Sequence, residues 1–208
     1  MAVRQAALVV AGALLAGGTT AVPAVPSGSV RVAVLPLPGS MSSQTSPETQ
    51  QLANALAAKL RSAGFRVVVT GGSPVVSLEE QTATANSSGA TLALAVRTVG
   101  EPKQCPAILA PPAVSPPAQP KGGVSQAELP ALARQLIASS RFEASARLAQ
   151  AISSAGSWCR RRPTAVERFV LETTYMPTVI ISVASRDGDS LTDRIPSLVE
   201  RWILVETK

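Results

Sequence analysis

The side chains that could carry chemistry in this sequence are carboxylates, hydroxyls and thiols, because the chain contains no histidine. Glu48 opens a segment with helical spacing, and Asp187 and Asp189 lie together in SRDGDS. Three carboxylates that met in the fold could hold a hard cation weakly. The simpler interpretation, which we favour, is a helix N-terminal acid at Glu48 and an Asp-Gly turn at the two aspartates.

The two cysteines, Cys105 and Cys159, allow a disulfide or two separate thiols. An even number of cysteines in an oxidising compartment favours the disulfide. Two cysteines without histidine make a poor zinc site. We therefore expect a structural role for this pair and no metal.

The first 24 residues have the pattern of a secretory signal peptide. An early Arg4 precedes an apolar run over 6–16, and small residues end in Ala-Val-Pro-Ala at 21–24. The run is shorter than the roughly 20 residues that a membrane span needs, so we expect cleavage rather than a retained anchor. The mature protein is then predicted to be secreted into a periplasm, with no stable membrane span.

The net charge of +6 favours anionic partners such as cell-wall polymer or lipid headgroups. Part of that charge lies in the cluster Arg160, Arg161, Arg162 and Arg168. A solvated basic loop explains the cluster equally well. The run is too short, and the chain at 3% aromatic residues too poor in rings, to indicate nucleic-acid binding.

Buried-type strands alternate with helical segments along the chain, which predicts a parallel α/β sheet. We expect strands at 30–37, 65–70, 90–96, 106–110, 167–174 and 177–185, and helices at 46–64, 77–86, 125–139, 142–154 and 190–206. The predicted architecture is a single three-layer α/β domain over 30–208. It has a mostly parallel twisted sheet of about six strands flanked by helices, and a Pro-rich insertion at 101–123.

The order of these elements resembles that of the zinc-dependent N-acetylmuramoyl-L-alanine amidases of bacterial cell walls, which cut the amide between the peptidoglycan sugar and its stem peptide. Two segments carry the resemblance, VVVTGGSPVVSLEEQTATANSSGATLALAV (67–96) and FVLETTYMPTVIISVAS (169–185). In the first, Thr70, Leu78, Asn86 and Gly89 fall in register with the family pattern. LPLPGS, after the first strand, looks like the family's Asp-Pro-Gly-His-Gly-Gly.

The resemblance implies a zinc ion held by two histidines and a glutamate, with a second glutamate as general base. In this register Pro38 and Arg97 replace the histidines, Thr45 the glutamate ligand and Ser182 the general base, while Gln81 replaces a structural arginine. Proline has no donor atom in its side chain, and arginine is a fixed cation. Serine cannot accept a proton near neutral pH without a base beside it. We therefore expect no zinc and no confident catalytic residue.

The sequence thus predicts an exported, amidase-like protein of peptidoglycan metabolism that is catalytically degenerate and binds peptidoglycan or a cell-wall remodelling protein. Ligands of open α/β sheets bind at the carboxyl ends of the strands. We expect Pro38, Arg97 and Ser182 to line that cleft, with Arg160, Arg161 and Arg162 at its rim. Arg97 and Ser182 could bind an anion such as a stem-peptide carboxylate, or Arg97 could simply be exposed at a strand end.

Two alternatives stay open. One is an active peptidoglycan amide hydrolase whose site is rebuilt from Glu48 and the two aspartates, or which works without metal. The other is an exported partner-binding module unrelated to the cell wall, which uses the Pro-rich segment as a docking strip.

Overall fold

The computed structural model describes residues 30–39, 44–71, 76–100, 107–109, 129–154, 163–184 and 187–206. In these ranges it has five strands, β1 (Arg31–Pro36), β2 (Arg66–Val69), β3 (Leu92–Val99), β4 (Ala107–Leu109) and β5 (Thr178–Ala184). It has five helices, α1 (Pro47–Ser62), α2 (Leu78–Ser87), α3 (Leu129–Ser153), α4 (Ala165–Thr173) and α5 (Gly188–Glu206).

The strands form one sheet in the order β2-β1-β3-β5-β4. The first four are mutually parallel, and β4 pairs antiparallel with β5 at the edge. The predicted mostly parallel sheet is confirmed, as is the short edge strand expected around 106–110. Because parallel strands share one direction, the carboxyl ends of β1, β3 and β5 meet at one edge of the sheet, called the carboxyl edge below.

Two apolar cores, one on each face of the sheet, make three layers. Alternation along β3 sends Leu92, Leu94 and Val96 to one face, while Ala93 and Ala95 point to the other. The first face packs against buried side chains of α1, α3 and α5, including Leu56, Leu148 and Ile195. The second packs against α2 and α4 through Ala85, Val170 and Leu171. A fully buried Leu or Ile contributes about 1.5–3 kcal/mol, so both faces help to hold the sheet.

The helix starts follow capping chemistry that the sequence announces. Ser46 caps α1 by accepting a hydrogen bond from the Thr49 backbone N–H, with Pro47 at the first helical position. Ser77 begins α2 in a complete capping box with Glu80. The predicted starts of both helices are confirmed.

Two predicted elements differ in the structure. The segment 167–174, expected as a strand, lies in helix α4 as far as Thr173, with Thr174 as the C-cap, and this leaves five strands in the described chain where about six were expected. The physical reason is a capping box in which Thr164 and Glu167 bond each other's backbone N–H groups. The two helices expected at 125–139 and 142–154 are a single helix, α3, because neither glycine nor proline interrupts the chain between them.

Several predictions fall outside the described residues. These are the signal segment 1–24, the pair Cys105 and Cys159, the basic run Arg160 to Arg162 and most of the Pro-rich insertion. Among the helices that the structure describes, none combines the length and the apolar character needed to cross a membrane.

Candidate binding site at the carboxyl edge of the sheet

Four residues stand at the positions where the resemblance implies zinc ligands and a general base, namely Pro38, Thr45, Arg97 and Ser182. The segments that carry them meet at the carboxyl edge. The backbone N–H of Leu37, just beyond β1, donates to the carbonyl of Val96 on β3 at 2.8 Å. The Thr45 hydroxyl donates to the carbonyl of Pro36 at 3.2 Å. Arg97 on β3 is the register partner of Ser182 on β5. Pro38 is buried beside this junction, one residue beyond Leu37.

Arg97 lies in a buried polar cluster rather than at an exposed strand end. Its side chain is 5% exposed. Its Nε donates to the Ser182 hydroxyl at 3.0 Å, and its guanidinium forms an ion pair with Glu167 at 2.9 Å. The interpretation that Arg97 is exposed at a strand end is therefore wrong. The cluster of Arg97, Ser182 and Glu167 is buried between the sheet and α4.

Glu167 is the member of the cluster that comes from a helix. Its side chain is fully buried. One carboxylate oxygen, Oε1, faces Arg97, while Oε2 accepts the backbone N–H of Thr164 at 2.7 Å. The same residue thus closes the capping box of α4 and neutralises the buried guanidinium. Without this arrangement Arg97 would be a buried charge lacking its counter-ion, which is strongly unfavourable.

The next residue, Thr98, points to the opposite face of the sheet and contacts the start of α1. Its hydroxyl lies 2.7 Å from that of Thr49 and 3.3 Å from that of Ser46. The Thr98 backbone N–H also donates to the Thr49 hydroxyl at 3.0 Å. This hydroxyl network fixes the N-terminus of α1 against β3, so the carboxyl edge is held rigidly on both faces.

A cavity of about 210 Å³ opens at the carboxyl edge on the α1 side. Thr98 forms its floor, Glu48 and Gln51 supply polar groups from α1, and Gly188 and Thr192 come from α5. Leu52 and Ala55 complete the wall. This cavity lies where open α/β sheets bind ligands. Arg97 and Ser182 face the other side of the sheet, toward α4.

Glu48 is exposed at the mouth of this cavity, and the pKa of its carboxyl group lies below the usual range. The main cause is a hydrogen bond with its own backbone N–H, and the Ser46 hydroxyl adds to the effect. Glu48 is therefore a carboxylate at neutral pH. Among the side chains that the structure describes, no three acidic, cysteine or histidine residues lie close enough to hold a metal ion. The side chain of Asp189 lies outside that set.

The sequence singled out Arg97 and Ser182 but gave no sign of the carboxylate between them and α4. The apolar run after Glu167 predicts a strand, and this prediction gives Glu167 no partner on β3. The usable signal was the Thr-x-x-Glu spacing of Thr164 and Glu167, which is typical of a helix start. Thr49 and Thr98 were also missed, since hydroxyl pairs far apart in sequence leave no local pattern.

The fold is similar to solved structures of N-acetylmuramoyl-L-alanine amidases. The amidase from Clostridium difficile 630 has a TM-score of 0.54 at 15% identity, with 85% of this chain and 95% of that chain covered. The catalytic domain of CwlV from Bacillus (Paenibacillus) polymyxa gives 0.51 at 13% identity, covering 86% and 98%. CwlD from Clostridioides difficile, in complex with the GerS lipoprotein, gives 0.52 at 9% identity, covering 85% and 99%.

No protein-family model matches the sequence, and no curated protein matches it either. At these identities the likeness is one of fold. The chain has an amidase-like fold.

Proposed function

We propose that the protein is a non-hydrolytic, exported relative of the cell-wall amidases that binds peptidoglycan at the carboxyl edge of its sheet. The observation that carries this proposal is the buried Arg97–Glu167 ion pair with Ser182 beside it. Arg97 stands where the amidase resemblance implies a zinc ligand, and Ser182 stands where it implies the general base. Here they form an internal salt bridge that supports the fold.

The residues at the carboxyl edge do not fit zinc. Pro38 offers no donor atom, and Arg97 brings a positive charge that repels a cation. Thr45 uses its hydroxyl to bond the carbonyl of Pro36. Structural and catalytic zinc sites in proteins are built from Cys, His, Asp and Glu. The proposed function therefore involves no zinc.

A metal-free hydrolase is also poorly supported by the cluster. A serine nucleophile needs a base that can take its proton, whereas Arg97, which donates to the Ser182 hydroxyl, is permanently protonated. Glu167 is the acid of the cluster, but its two oxygens are engaged by Arg97 and by the Thr164 backbone N–H. Its full burial keeps it from acting on a water molecule supplied by solvent.

The cavity floored by Thr98 is the proposed point of ligand contact. At about 210 Å³ it is smaller than the roughly 300–1,000 Å³ typical of small-molecule sites. It therefore suits one protruding group of a larger polymer better than a whole small ligand. Glu48, Gln51 and Thr98 offer acceptors and an amide donor for the N–H and carbonyl groups of a glycan-peptide.

Sedimentation with purified sacculi tests the proposal, using Ala55→Trp as the perturbing variant. Ala55 is exposed on α1 and lines the cavity, so a large ring there should fill it without disturbing the core. Ala58→Trp is the matched control, because Ala58 is exposed on the same helix but does not line the cavity. We expect the wild type and Ala58→Trp to sediment with sacculi and Ala55→Trp to stay in solution. Equal sedimentation of both variants would move binding away from this cavity.

Dye release from labelled sacculi tests the absence of hydrolysis, with zinc added and an active amidase run alongside. We expect no release above the buffer blank. Release by the wild type would instead indicate a rebuilt hydrolytic site. Glu48, Asp187 and Asp189 would then be the first residues to substitute.

A cell-wall remodelling protein is the second candidate partner. One structural neighbour is an amidase in complex with a lipoprotein, which favours a protein-binding role for a chain of this fold. Export, which both versions of the proposal require, is tested by N-terminal sequencing of the mature protein from the periplasmic fraction. We expect the mature chain to begin just after residue 24.

A further inference from the structure

A second concave surface, distinct from the carboxyl edge, lies between α2 and α4. This groove has a volume of about 500 Å³, and Tyr175 and Phe169 supply its aromatic part. Tyr175 lies just before β5 begins at Thr178. The groove therefore lies toward the amino ends of the strands, on the helical layer opposite α1 and α5.

Tyr175 is presented to solvent in a fixed position. Its side chain is 77% exposed, and it is the sole tyrosine of a chain that is only 3% aromatic. Asn86 on α2 holds the backbone around it. The Asn86 Nδ2 donates to the carbonyl of Thr173 at 2.9 Å, and its Oδ1 accepts the backbone N–H of Tyr175 at 2.8 Å. An exposed ring on an anchored backbone is a preorganised stacking surface, which reduces the entropy lost when a ligand binds.

Three residues that line the groove carry hydroxyl groups whose protons are used within the protein. Thr82 donates its proton to the carbonyl of Glu79, Ser87 to that of Thr84 and Thr173 to that of Phe169. Each hydroxyl carries one proton and two lone pairs, so the lone pairs remain for a ligand. The Glu79 carboxylate adds acceptors at one end. The groove thus complements a ligand rich in O–H and N–H donors.

Charge narrows the class of ligand further. The chain carries a net charge of +6, yet the described lining of this groove contains one carboxylate and neither lysine nor arginine. A polymer or headgroup with negative charge would meet Glu79 without a compensating cation. A neutral sugar with hydroxyl and acetamido N–H donors fits both the acceptors and the ring. The volume lies within the range typical of small-molecule sites.

We infer that the α2–α4 groove binds a neutral, N-acetylated amino-sugar glycan, with one sugar ring stacked on Tyr175. This rests on the proposed function, because the glycan strand of peptidoglycan is built from such sugars. It extends that function by giving the protein a second glycan contact, remote from the carboxyl edge. The two contacts together would grip a strand or bridge two strands.

The test is an NMR titration of the mature protein with the N-acetylglucosamine tetramer. We expect shifts in the backbone amides of 82–87 and 169–175, and in the side-chain amide of Asn86. Tyr175→Ala should weaken binding about tenfold, equivalent to about 1.4 kcal/mol, because it removes the apolar ring face on which the sugar would lie. Tyr175→Phe keeps the ring and should bind as the wild type does. Leu204→Ala, at an exposed apolar residue of α5, is the control for surface truncation.

Sedimentation with sacculi separates failure of this inference from failure of the proposed function. If the wild type sediments with sacculi but the tetramer shifts no groove residue, the groove inference is wrong and the proposed function stands. If the tetramer shifts the groove but sacculi do not sediment the protein, the groove binds glycan and the peptidoglycan proposal fails. Shifts produced by the cationic glucosamine tetramer alone would overturn the neutral-sugar assignment, and so would Tyr175→Ala binding as tightly as the wild type.

Discussion

Removing one partner of the Arg97–Glu167 ion pair should destabilise the protein far more than removing both. In Arg97→Met the carboxylate of Glu167 stays fully buried without its cation, and in Glu167→Gln the buried guanidinium loses its anion. Glutamine is chosen because its carbonyl oxygen can still accept the Thr164 N–H and keep the α4 capping box closed. Each single substitution should cost about 3–5 kcal/mol, the usual penalty for breaking a buried pair. The double variant should cost less than either single one.

The assays are urea unfolding and thermal unfolding of the four proteins followed by circular dichroism, with the urea data analysed as a double-mutant cycle. For a chain of this size, each kcal/mol lowers Tm by about 2–4 °C, so the single variants should melt about 6–20 °C below the wild type. We expect the coupling free energy between the two sites to exceed about 2 kcal/mol. Additive effects would refute the reasoning, because they would mean that Arg97 and Glu167 do not interact in solution.

The exposed pair Lys59–Asp193 supplies a matched control. Its two side chains are 54% and 61% exposed, although the Nζ–Oδ1 distance of 2.7 Å is shorter than the contact between Arg97 and Glu167. Exposed pairs couple by about 0.2–1 kcal/mol, because water screens them. The cycle with Lys59→Met and Asp193→Asn should therefore show little coupling. If both cycles gave the same value, distance and not burial would decide the energy.

Acidification separates the two single variants. In Arg97→Met, lowering the pH from 7.5 to 5 lets the buried Glu167 take up a proton and lose its charge. The folded state then binds more protons than the unfolded state over this window, so the stability deficit should shrink as the pH falls. In Glu167→Gln the unpaired group is an arginine, which stays protonated throughout. Its deficit should be the same at both pH values.

Two smaller predictions concern the helix ends. Ser77→Ala should lower the free energy of unfolding by about 0.5–2 kcal/mol, because the capping box of α2 is lost, while the exposed Ser62→Ala should change it little. Gly64→Ala should lower the free energy of unfolding by about 1–2 kcal/mol, because Gly64 has a φ of 90° where the N–H groups of Gly64 and Phe65 close the end of α1. The control Gly100→Ala should be neutral, since the added methyl group meets no atom within 4 Å. Urea unfolding measures both, and equal losses in variant and control would contradict either prediction.

The parts of the fold that the sequence predicted are those governed by local chemistry. Ser46 and Pro47 mark the start of α1, and Ser77 that of α2, because capping depends on residues a few positions apart. The apolar runs of β1, β3 and β5 are buried on both faces, which is typical of central parallel strands. Together these elements define the α/β class and the edge where the site lies.

The segment 167–174 shows where such reading fails. Phe169, Val170 and Leu171 form a contiguous apolar run that suits a buried strand as well as a helix, and periodicity alone does not separate the two over so short a length. The capping box decides it, since Glu167 bonds back to Thr164. That error also hid the partner of Arg97. An ion pair between residues 70 positions apart is set by tertiary packing, and no local pattern encodes it.

The alternation of side chains along β3 places Arg97 and Thr98 on opposite faces of the sheet at the carboxyl edge. Arg97 points toward α4, where it forms an ion pair with Glu167 and donates a hydrogen bond to Ser182. Thr98 points toward α1 and lines the cavity. Substitutions at Arg97 should therefore act on folding, whereas those at Thr98 should alter the cavity and also weaken the hydroxyl network that holds the start of α1. Introducing a metal ligand at position 97 alone would remove the guanidinium that pairs with the fully buried Glu167 carboxylate, so it should destabilise this edge. Because Arg97 and Glu167 depend on each other, a metal ligand at position 97 would require replacing both residues together, which favours the proposed binding role over hydrolysis.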